Sequence, residues 1–278
     1  MKIGSFEIGS APFIIAEASI NHNGSIDCAC DMVLAAKEAG ATCIKFQTYH
    51  TEDFCRPDDP MFETFKRCEL PPSAWPKIKE VCDQENIMFL STPQNRSDLD
   101  ILLPLGIQAI KVGSDDFCNI PLLKSYAKAG LPLILSTGMA DIKDIVKTNR
   151  AIGGKDIIVM VCTSQYPTSA EEVNIRRISA MKGIDAGFSD HTIGNTASIM
   201  AVALGAVMFE RHFTLDHSLD GPEHSWACDP PELKSWVDAI NEAWLMRGNG
   251  SFELTEKEKE NKLKYQRRPG QQIRGTPI

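Results

Sequence analysis

Two histidines stand at the ends of two apolar stretches that follow one another along the chain. His191 closes the stretch Gly187-Phe-Ser-Asp-His-Thr, and His212 closes Gly205-Ala-Val-Met-Phe-Glu-Arg-His. Each stretch begins apolar, as a short buried strand does, and becomes polar at its C-terminal tip. Two consecutive strands that deliver imidazoles to the same end of a barrel can hold a metal ion. Two histidines are only half of a zinc site, so a pair of hydrogen-bonded imidazoles without metal is the other interpretation.

Polar side chains end the other apolar stretches too. Lys45 and Lys111 emerge from two of them, and lysine is rarely buried unless it is paired. Four more stretches end in serine or threonine, which supply neutral donors. This combination predicts a site for a phosphate, a carboxylate or both. In the alternative, each lysine forms a salt bridge with a nearby carboxylate such as Glu17 or Asp116. The candidate residues at the strand ends are Glu17, Lys45, Gln47, Ser91, Thr92, Lys111, Ser114, Asp115, Asp116, Ser136, Thr137, Thr163, Ser164, Tyr166, Ser189, His191, Glu210 and His212.

The elements that must position these residues alternate. Eight apolar strands, each followed by a helical pattern or a long loop, recur about every 20 to 40 residues. Such alternation predicts a parallel sheet, and eight units in about 250 residues match the size of a (β/α)₈ TIM barrel. Residues 1–11 predict a small β-hairpin before it. An open doubly wound sheet is the alternative, although no GxGxxG follows the first strand.

The sequence also makes more specific predictions about two connecting segments and the domain boundary. Residues 48–70 are interpreted as a long, irregular, charged loop, of a length that is usually functional or flexible. A helix is expected at about 170–181. We expect the barrel to occupy residues 1–250, whereas residues 251–278 form a C-terminal helix and a basic tail that is extended or disordered.

Composition narrows the function classes. A net charge of −8 with no long basic run before the C-terminus argues against nucleic-acid binding. The nine cysteines are odd in number and include no CxxC, which predicts a reducing cytoplasm without a disulfide framework. No apolar run approaches the ~20 residues of a membrane span, and the first residues lack the apolar core of a signal peptide. We therefore expect a cytoplasmic protein with no membrane partner.

Taken together, the strand-end motifs resemble the sialic acid synthases, the NeuB-type enzymes that condense phosphoenolpyruvate with an N-acetylated amino sugar. The resemblance extends in order from residue 1 to about residue 250, at nearly every strand end. The motifs are Ala16-Glu-Ala-Ser-Ile-Asn-His-Asn-Gly24, Ile44-Lys-Phe-Gln47, Ser91-Thr-Pro93, Lys111-Val-Gly-Ser-Asp-Asp116, Pro121-Leu-Leu123, Leu135-Ser-Thr-Gly-Met-Ala140, Cys162-Thr-Ser-Gln-Tyr-Pro167, Gly187-Phe-Ser-Asp-His-Thr192, Glu210-Arg-His-Phe-Thr214 and Gly221-Pro-Glu-His224.

The resemblance implies a TIM-barrel catalytic domain and a role for each matching residue. His191 and His212 would be ligands of Mn²⁺ or Mg²⁺. Phosphoenolpyruvate would bind at Lys45, Thr92, Lys111, Ser114, Ser136 and Ser164, and the amino sugar at Gln47, Tyr166 and Glu223. Glu17 and Asp116 would be catalytic, one of them as the base for the attacking water. Carbon 3 of phosphoenolpyruvate would attack the metal-polarised aldehyde, and phosphate would leave by C–O cleavage.

Two departures from the family pattern bear on specificity. Glu223 stands where the family has the aspartate of Gly-Pro-Asp-His, one methylene shorter. The family also carries a C-terminal antifreeze-like (SAF) domain that gives an arginine to a partner's site, whereas this chain stops near the linker. Arg267, Arg268 and Arg274 are not assumed to replace that arginine, so the sugar specificity and the swapped dimer of the family do not carry over to this chain. A homodimer and a separate SAF-domain protein are the two candidate partners. A 3-deoxy-sugar acid synthase with another aldose, or an idle ligand-binding barrel, are the alternative functions.

Overall fold

Eight parallel strands and the helices between them make up most of the computed structural model, which describes residues 1–153, 156–181 and 183–267. A short antiparallel hairpin, Lys2–Ile3 (β1) and Phe6–Glu7 (β2), precedes them. The eight strands are Phe13–Ser19 (β3), Cys43–Thr48 (β4), Met88–Pro93 (β5), Ile110–Val112 (β6), Leu133–Ser136 (β7), Ile157–Val161 (β8), Asp185–Ser189 (β9) and Met208–His212 (β10).

The strands form one sheet in the order β5-β4-β3-β10-β9-β8-β7-β6. The two end strands, β5 and β6, also contact each other, so the sheet nearly closes into a barrel. The predicted α/β fold, a (β/α)₈ barrel with an N-terminal hairpin, is therefore confirmed.

Helices connect the strands, and most of them pack against the outside of the barrel. They are Ile26–Ala39 (α1), Thr51–Phe54 (α2), Phe62–Cys68 (α3), Ala74–Gln84 (α4), Arg96–Leu102 (α5), Ile120–Ala127 (α6), Ile142–Ile152 (α7), Thr196–Ala203 (α8) and Pro230–Met246 (α9), with 3₁₀ turns at Leu103–Leu105 and Ile175–Ala180. Helix α1 shows how the sequence sets the ends. The Ser25 side chain accepts the Cys28 N–H at the start, and Gly40 ends the helix in the left-handed conformation at φ 89°.

Side chains alternate between the inside and the outside of the barrel. In β3, Phe13 and Ile15 belong to the inner cluster, whereas Ile14 and Ala16 pack against the helices. The hairpin contributes Ile3 to the same inner cluster. The N-terminal end of the barrel is thus filled with apolar side chains, and the polar residues that follow Ile15 lie towards the other end.

Two connections differ from expectation. The segment 48–70 contains helices α2 and α3 rather than an irregular loop, because the rings of Tyr49, Phe54 and Phe65 pack together. The prediction of a helix at about 170–181 is wrong, because only the 3₁₀ turn Ile175–Ala180 forms there. Its two buried residues are three positions apart, which matches a 3₁₀ turn, and Asn174 before it is left-handed at φ 44°.

The chain divides into the units Met1–Leu245 and Met246–Ile278, a few residues before the boundary expected at 250. The second unit contains a helix, Glu256–Tyr265 (α10), which begins with a capping box at Thr255. The expected basic tail lies largely outside the described residues. None of the described helices is long and apolar enough to cross a membrane.

Candidate active site

A cavity of about 600 Å³ opens at the C-terminal ends of the strands. All eight strands of the barrel, or the loops that directly follow them, supply its lining. The polar lining residues are Glu17, Lys45, Gln47, Thr92, Gln94, Lys111, Ser114, Asp115, Ser136, Ser164, Tyr166, Ser189, His191, Glu210, His212, Glu223 and Trp226. A cavity of this size at this face of a (β/α)₈ barrel can hold small-molecule substrates.

A row of alternating charges forms the floor of the cavity. Glu17 and Lys45 are partners in the register of β3 and β4, and Lys45 Nζ lies 2.5 Å from Glu17 Oε2. The two oxygens of Glu210 lie 3.8 Å from Lys45 Nζ and 3.4 Å from Lys111 Nζ. All four side chains are at least 95% buried. The two lysines therefore share one carboxylate, and the alternative of simple salt bridges holds for Lys45 with Glu17 but not for Lys111 with Asp116.

Burial and neighbouring charges set the protonation of this row. Burial opposes ionisation of Glu210, but Lys111 and Lys45 outweigh it and lower the pKa of Glu210 to about 2. Burial raises the pKa of Glu17, against the opposing effect of Lys45. Burial also lowers the pKa of Lys111. The floor thus contains one firmly ionised carboxylate, and Glu17 is the carboxyl group most ready to carry a proton.

Hydroxyl groups lie beside the lysines. Lys45 Nζ donates to Thr92 Oγ1 at 3.1 Å, and Lys111 Nζ donates to Ser136 Oγ at 2.8 Å. Ser114 Oγ accepts the Gly138 backbone N–H at 3.0 Å, while the buried Ser164 Oγ has no hydrogen-bond partner among the described residues. Cationic groups, hydroxyls and an unused donor at one place suit a phosphate or carboxylate.

Gly138 makes this crowding of hydroxyl groups possible. A Cβ at this position would lie 2.2 Å from Ser164 Oγ and 2.8 Å from Ser114 Oγ. A side chain of any size would therefore displace both hydroxyls. The fragment Ser-Thr-Gly-Met-Ala is too short to identify a function by itself. The close approach of the two hydroxyls explains why glycine occupies position 138 within it.

The two histidines lie side by side, with ring centroids 5.5 Å apart. His191 Nδ1 lies 2.7 Å from the Thr163 carbonyl oxygen, and His212 Nδ1 lies 2.9 Å from Glu223 Oε2. Both acceptors assign the ring proton to Nδ1, which leaves each Nε2 with a lone pair. Burial lowers the pKa of His191 to about 4, so this imidazole is neutral at physiological pH. Burial opposes protonation of His212, but the Glu223 carboxylate outweighs burial and raises the pKa of His212. A divalent metal at Nε2 would take the place of the second proton of His212, and imidazoles oriented by a carbonyl and a carboxylate fit such a metal.

A chain of polar contacts links the histidine pair to Gln47 and Glu223, two of the residues predicted to bind the sugar. Gln47 Nε2 donates to Ser19 Oγ at 3.1 Å, and Ser19 Oγ donates to Glu223 Oε1 at 2.9 Å. Glu223 therefore connects Gln47 to His212 through its two oxygens. Tyr166 packs over His191 at 4.2 Å between centroids, and Trp226 packs against His212 at 4.9 Å. The imidazoles thus lie between a polar network and two aromatic rings.

The structure brings every residue with a predicted catalytic, substrate-binding or metal-binding role to this cavity except Asp116; of the wider set of strand-end candidates, Ser91, Thr137 and Thr163 do not line it either. Asp116, expected to be catalytic, is not among the lining residues, and its carboxylate accepts a hydrogen bond from Asn119 Nδ2 at 2.8 Å. The adjacent Asp115 lines the cavity instead. Asp115 lines the cavity and Asp116 does not, because the turn after β6 directs their two side chains in different directions. The catalytic assignment of Asp116 therefore has no support from geometry.

Two buried members of the site, Glu210 and Ser189, were at the strand ends but received no role from sequence. Strand alternation could have identified them, since residues two apart face the same side. Glu210 and His212 line the cavity, whereas the intervening Arg211 pairs behind the strand with Asp190. The strand periodicity that sends Arg211 outward sends Glu210 inward.

The fold and this cavity define the class: a (β/α)₈ barrel whose buried lysines, acids and imidazoles meet at the C-terminal face. The NeuB family model matches residues 32–252, and the chain belongs to the NeuB family.

Three relatives illustrate the match. An uncharacterized protein of Methanocaldococcus jannaschii is 44% identical over 90% of this chain and 77% of its own length. The N,N'-diacetyllegionaminic acid synthase of Legionella pneumophila is 34% identical over 88% of this chain and 76% of its own. The crystal structure of N-acetylneuraminic acid (sialic acid) synthetase from Leptospira borgpetersenii, in complex with citrate, superposes with a TM-score of 0.90 at 32% identity and covers 94% of each chain.

Proposed function

We propose that this protein condenses phosphoenolpyruvate with an N-acetylated aldose of the hexosamine type, giving a nonulosonic acid and phosphate. Membership of the NeuB family supports this reaction class. The Legionella relative bears the name of a legionaminic acid synthase, and the Leptospira relative that of a sialic acid synthetase.

The observation that carries the proposal is the shared environment of Lys45 and Lys111. Both ammonium groups lie within 4 Å of the Glu210 carboxylate, and serine and threonine hydroxyls adjoin them. Phosphoenolpyruvate has a carboxylate and a phosphate a few bonds apart, so it matches two buried cations at one place. When Glu17 carries a proton, the two ammonium groups outnumber the one ionised carboxylate, which favours binding of an anion.

A divalent cation, Mn²⁺ or Mg²⁺, completes the proposed site. His191 and His212 would hold it through their Nε2 atoms, and Glu223 would fix the orientation of His212. Two protein ligands leave other coordination positions for substrate and water. When bound, the cation would polarise the aldehyde oxygen of the acceptor.

Glu17 is the proposed acid and base. As carbon 3 of phosphoenolpyruvate attacks the aldehyde carbon, Glu17 donates its proton to the aldehyde oxygen. The carboxylate that results then accepts a proton from the water that adds to carbon 2. The raised pKa of Glu17 suits the first step, and its ion pair with Lys45 stabilises the second state.

Loss of phosphate completes the reaction. The tetrahedral adduct at carbon 2 breaks its C–O bond to the phosphate, and the electrons of that bond leave with the phosphate. The hydroxyl group on carbon 2 becomes the keto oxygen, and its proton goes to the leaving phosphate. Lys45, Lys111 and the surrounding hydroxyls hold the donor's two anionic groups throughout and stabilise the leaving phosphate. The burial of the row excludes bulk water from the floor, which strengthens these interactions.

Phosphate release from phosphoenolpyruvate tests the proposal. We expect release only when Mn²⁺ and an acetamido aldose are both present, and we expect His212→Asn to abolish it. The matched control is His217→Asn, which changes an exposed histidine near Asp229 and Glu232 and should retain activity. Release with a phosphorylated pentose alone would favour a 3-deoxy-sugar acid synthase. Thermal stabilisation by Mn²⁺ and phosphoenolpyruvate without turnover of any acceptor would favour an idle barrel.

A further inference from the structure

The turn after β3 contains the motif Asn21-His-Asn-Gly24, to which the proposed reaction assigns no role. Starting at the end of β3, every second side chain donates a hydrogen bond to the segment that follows β10. The pairs are Ser19 with Glu223 at 2.9 Å, Asn21 with the Phe213 carbonyl oxygen at 2.8 Å, and Asn23 with His224 at 3.2 Å. These contacts join two neighbouring strands beyond their C-terminal ends. The segment that they hold includes Glu223, whose Oε2 lies 2.9 Å from His212 Nδ1.

The backbone of this turn requires its particular residues. Asn23 is left-handed at φ 50°, a conformation that asparagine adopts more readily than most residues. Gly24 is left-handed at φ 74°, and a Cβ there would lie 2.3 Å from the Arg67 carbonyl oxygen in α3. The Gly24 N–H donates to His22 Nδ1 at 3.1 Å. The turn is therefore fixed against α3 and by its own hydrogen bond, which sets the direction of the Asn23 amide.

His224 uses both of its ring nitrogens in hydrogen bonds. The ring is buried, and its Nε2 accepts the Asn23 amide. The ring proton therefore lies on Nδ1, which is 2.6 Å from Thr214 Oγ1. The Thr214 hydroxyl donates to the Asp216 carbonyl oxygen at 3.1 Å, so its oxygen can accept that proton. Burial lowers the pKa of His224, which favours this neutral form. His224 thus has no lone pair left for a metal, and it is not among the residues that line the cavity.

Gly221 shows how closely the segment packs around this ring. A Cβ at Gly221 would lie 2.6 Å from His224 Cδ2 and 2.9 Å from His224 Nε2. Any other residue at this position would push the ring away from Asn23. The ring of His224 is therefore fixed by packing as well as by two hydrogen bonds. Glu223 directly precedes His224, so a fixed ring also restricts the backbone that carries the Glu223 carboxylate.

We propose that Asn23 and His224 are positioning residues, which together hold Glu223 where its carboxylate meets His212 Nδ1. This inference rests on the proposed function, in which His212 holds a divalent cation. The orientation of a metal-binding imidazole depends on the partner of its other nitrogen. The position of that partner depends in turn on the contacts that hold it. A histidine that only fills the core is the alternative interpretation, and it predicts a loss of stability without a loss of metal affinity.

Calorimetric titration with Mn²⁺ tests the inference. His224→Leu, which removes both hydrogen bonds, should raise the Kd about fivefold, less than the roughly 10- to 100-fold expected when a ligand's direct partner is removed. Asn23→Gly keeps the left-handed backbone but removes the amide, and should have the same effect. His224→Gln, whose carboxamide can both accept and donate, should stay within about twofold of wild type. The matched control is Asn86→Gly, because Asn86 is also left-handed, at φ 53°, but is exposed and off the cavity; its Kd should equal that of wild type.

A double-variant cycle shows whether His224 acts through Glu223. If it does, His224→Leu/Glu223→Gln should bind Mn²⁺ no more weakly than Glu223→Gln alone, because no carboxylate remains to be positioned. A second measurement needs no metal. The hydrogen bond to Glu223 protects the His212 Nδ1 proton from exchange with water, and nuclear magnetic resonance detects this proton. Its exchange should be faster in Asn23→Gly and in His224→Leu than in wild type.

The outcomes separate this inference from the proposed function. Unchanged Mn²⁺ affinity in Asn23→Gly and His224→Leu, or unchanged exchange of the His212 Nδ1 proton, would overturn the inference and leave the proposed function intact. Losses that multiply in the double variant would also overturn it, since His224 would then act independently of Glu223. If His224→Leu does not fold, Asn23→Gly retains the imidazole and decides the question. Absence of Mn²⁺ binding by the wild-type protein would overturn the proposed metal site and this inference together.

Discussion

Removing Lys111 should cost both stability and substrate binding, and the two losses can be separated. The ammonium group of Lys111 lies 3.4 Å from Glu210 Oε1, and both side chains are buried. In Lys111→Met, Glu210 keeps Lys45 as its nearest cation, at 3.8 Å. Breaking a buried ion pair by removing one partner costs about 3–5 kcal/mol. We expect a loss of this size in the free energy of unfolding, measured by urea denaturation.

The double variant Lys111→Met/Glu210→Gln removes both charges of the pair. Replacing a whole buried pair is often nearly neutral, so the double variant should recover about 2–3 kcal/mol relative to the sum of the single changes. Phosphoenolpyruvate binding should not recover. Loss of a charged hydrogen bond to the donor costs about 1.5–3 kcal/mol, or roughly 10- to 150-fold in kcat/KM, in both variants.

An exposed ion pair provides the control for this cycle. Lys234 Nζ lies 2.8 Å from Asp238 Oδ2 on the surface of α9. Lys234→Met should change the free energy of unfolding by less than about 1 kcal/mol and leave activity unchanged. Strictly additive stability losses in the Lys111/Glu210 cycle would contradict the shared buried row. Restored phosphoenolpyruvate binding in the double variant would contradict the role of Lys111.

Three further changes test other parts of the site and the fold. Glu223→Gln removes the carboxylate that holds His212 Nδ1 at 2.9 Å, and should weaken Mn²⁺ binding about 10- to 100-fold in calorimetric titration, whereas Glu232→Gln at the surface should not. Gly138→Ala places a Cβ 2.2 Å from Ser164 Oγ and should raise the KM for phosphoenolpyruvate roughly tenfold; an unchanged KM would refute the close approach. Burial raises the pKa of Asp98 to about 6 from 3.8, so the fold favours its protonated form. This contribution to stability is present below about pH 4 and is lost as pH rises through 6, by at most about 3 kcal/mol. Asp98→Asn should flatten the stability curve in this pH window, and a curve identical to wild type would contradict the assignment.

The sequence was informative where one physical rule dominates. Strand–helix alternation predicted the barrel because both periodicities repeat eight times and reinforce one another. Strands that end in polar residues such as Lys45 and His191 predicted the cavity, because parallel strands bring their C-terminal ends to one face. The expected homodimer, the separate SAF-domain partner and the cytoplasmic location remain predictions.

Where competing interactions decide, the sequence was less informative. Charge and length predicted an irregular loop at 48–70, but contacts between aromatic rings many residues apart fold it into two helices. Asp115 and Asp116 are chemically identical, and only the turn after β6 decides which one lines the cavity. The sequence assigned a role to His212 and none to Glu210, although the period-two pattern of a strand places both side chains on the same side.

The central claim is that one cavity brings the buried lysines and the imidazole pair to a single donor and a single cation. Diffraction at the manganese absorption edge, from crystals soaked with Mn²⁺ and phosphoenolpyruvate, tests it most directly. We predict an anomalous peak bonded to Nε2 of His191 and Nε2 of His212, with phosphoenolpyruvate contacting Lys45 and Lys111. A peak at the exposed group of His217, Asp229 and Glu232 alone, or phosphoenolpyruvate bound away from both lysines, would contradict the account.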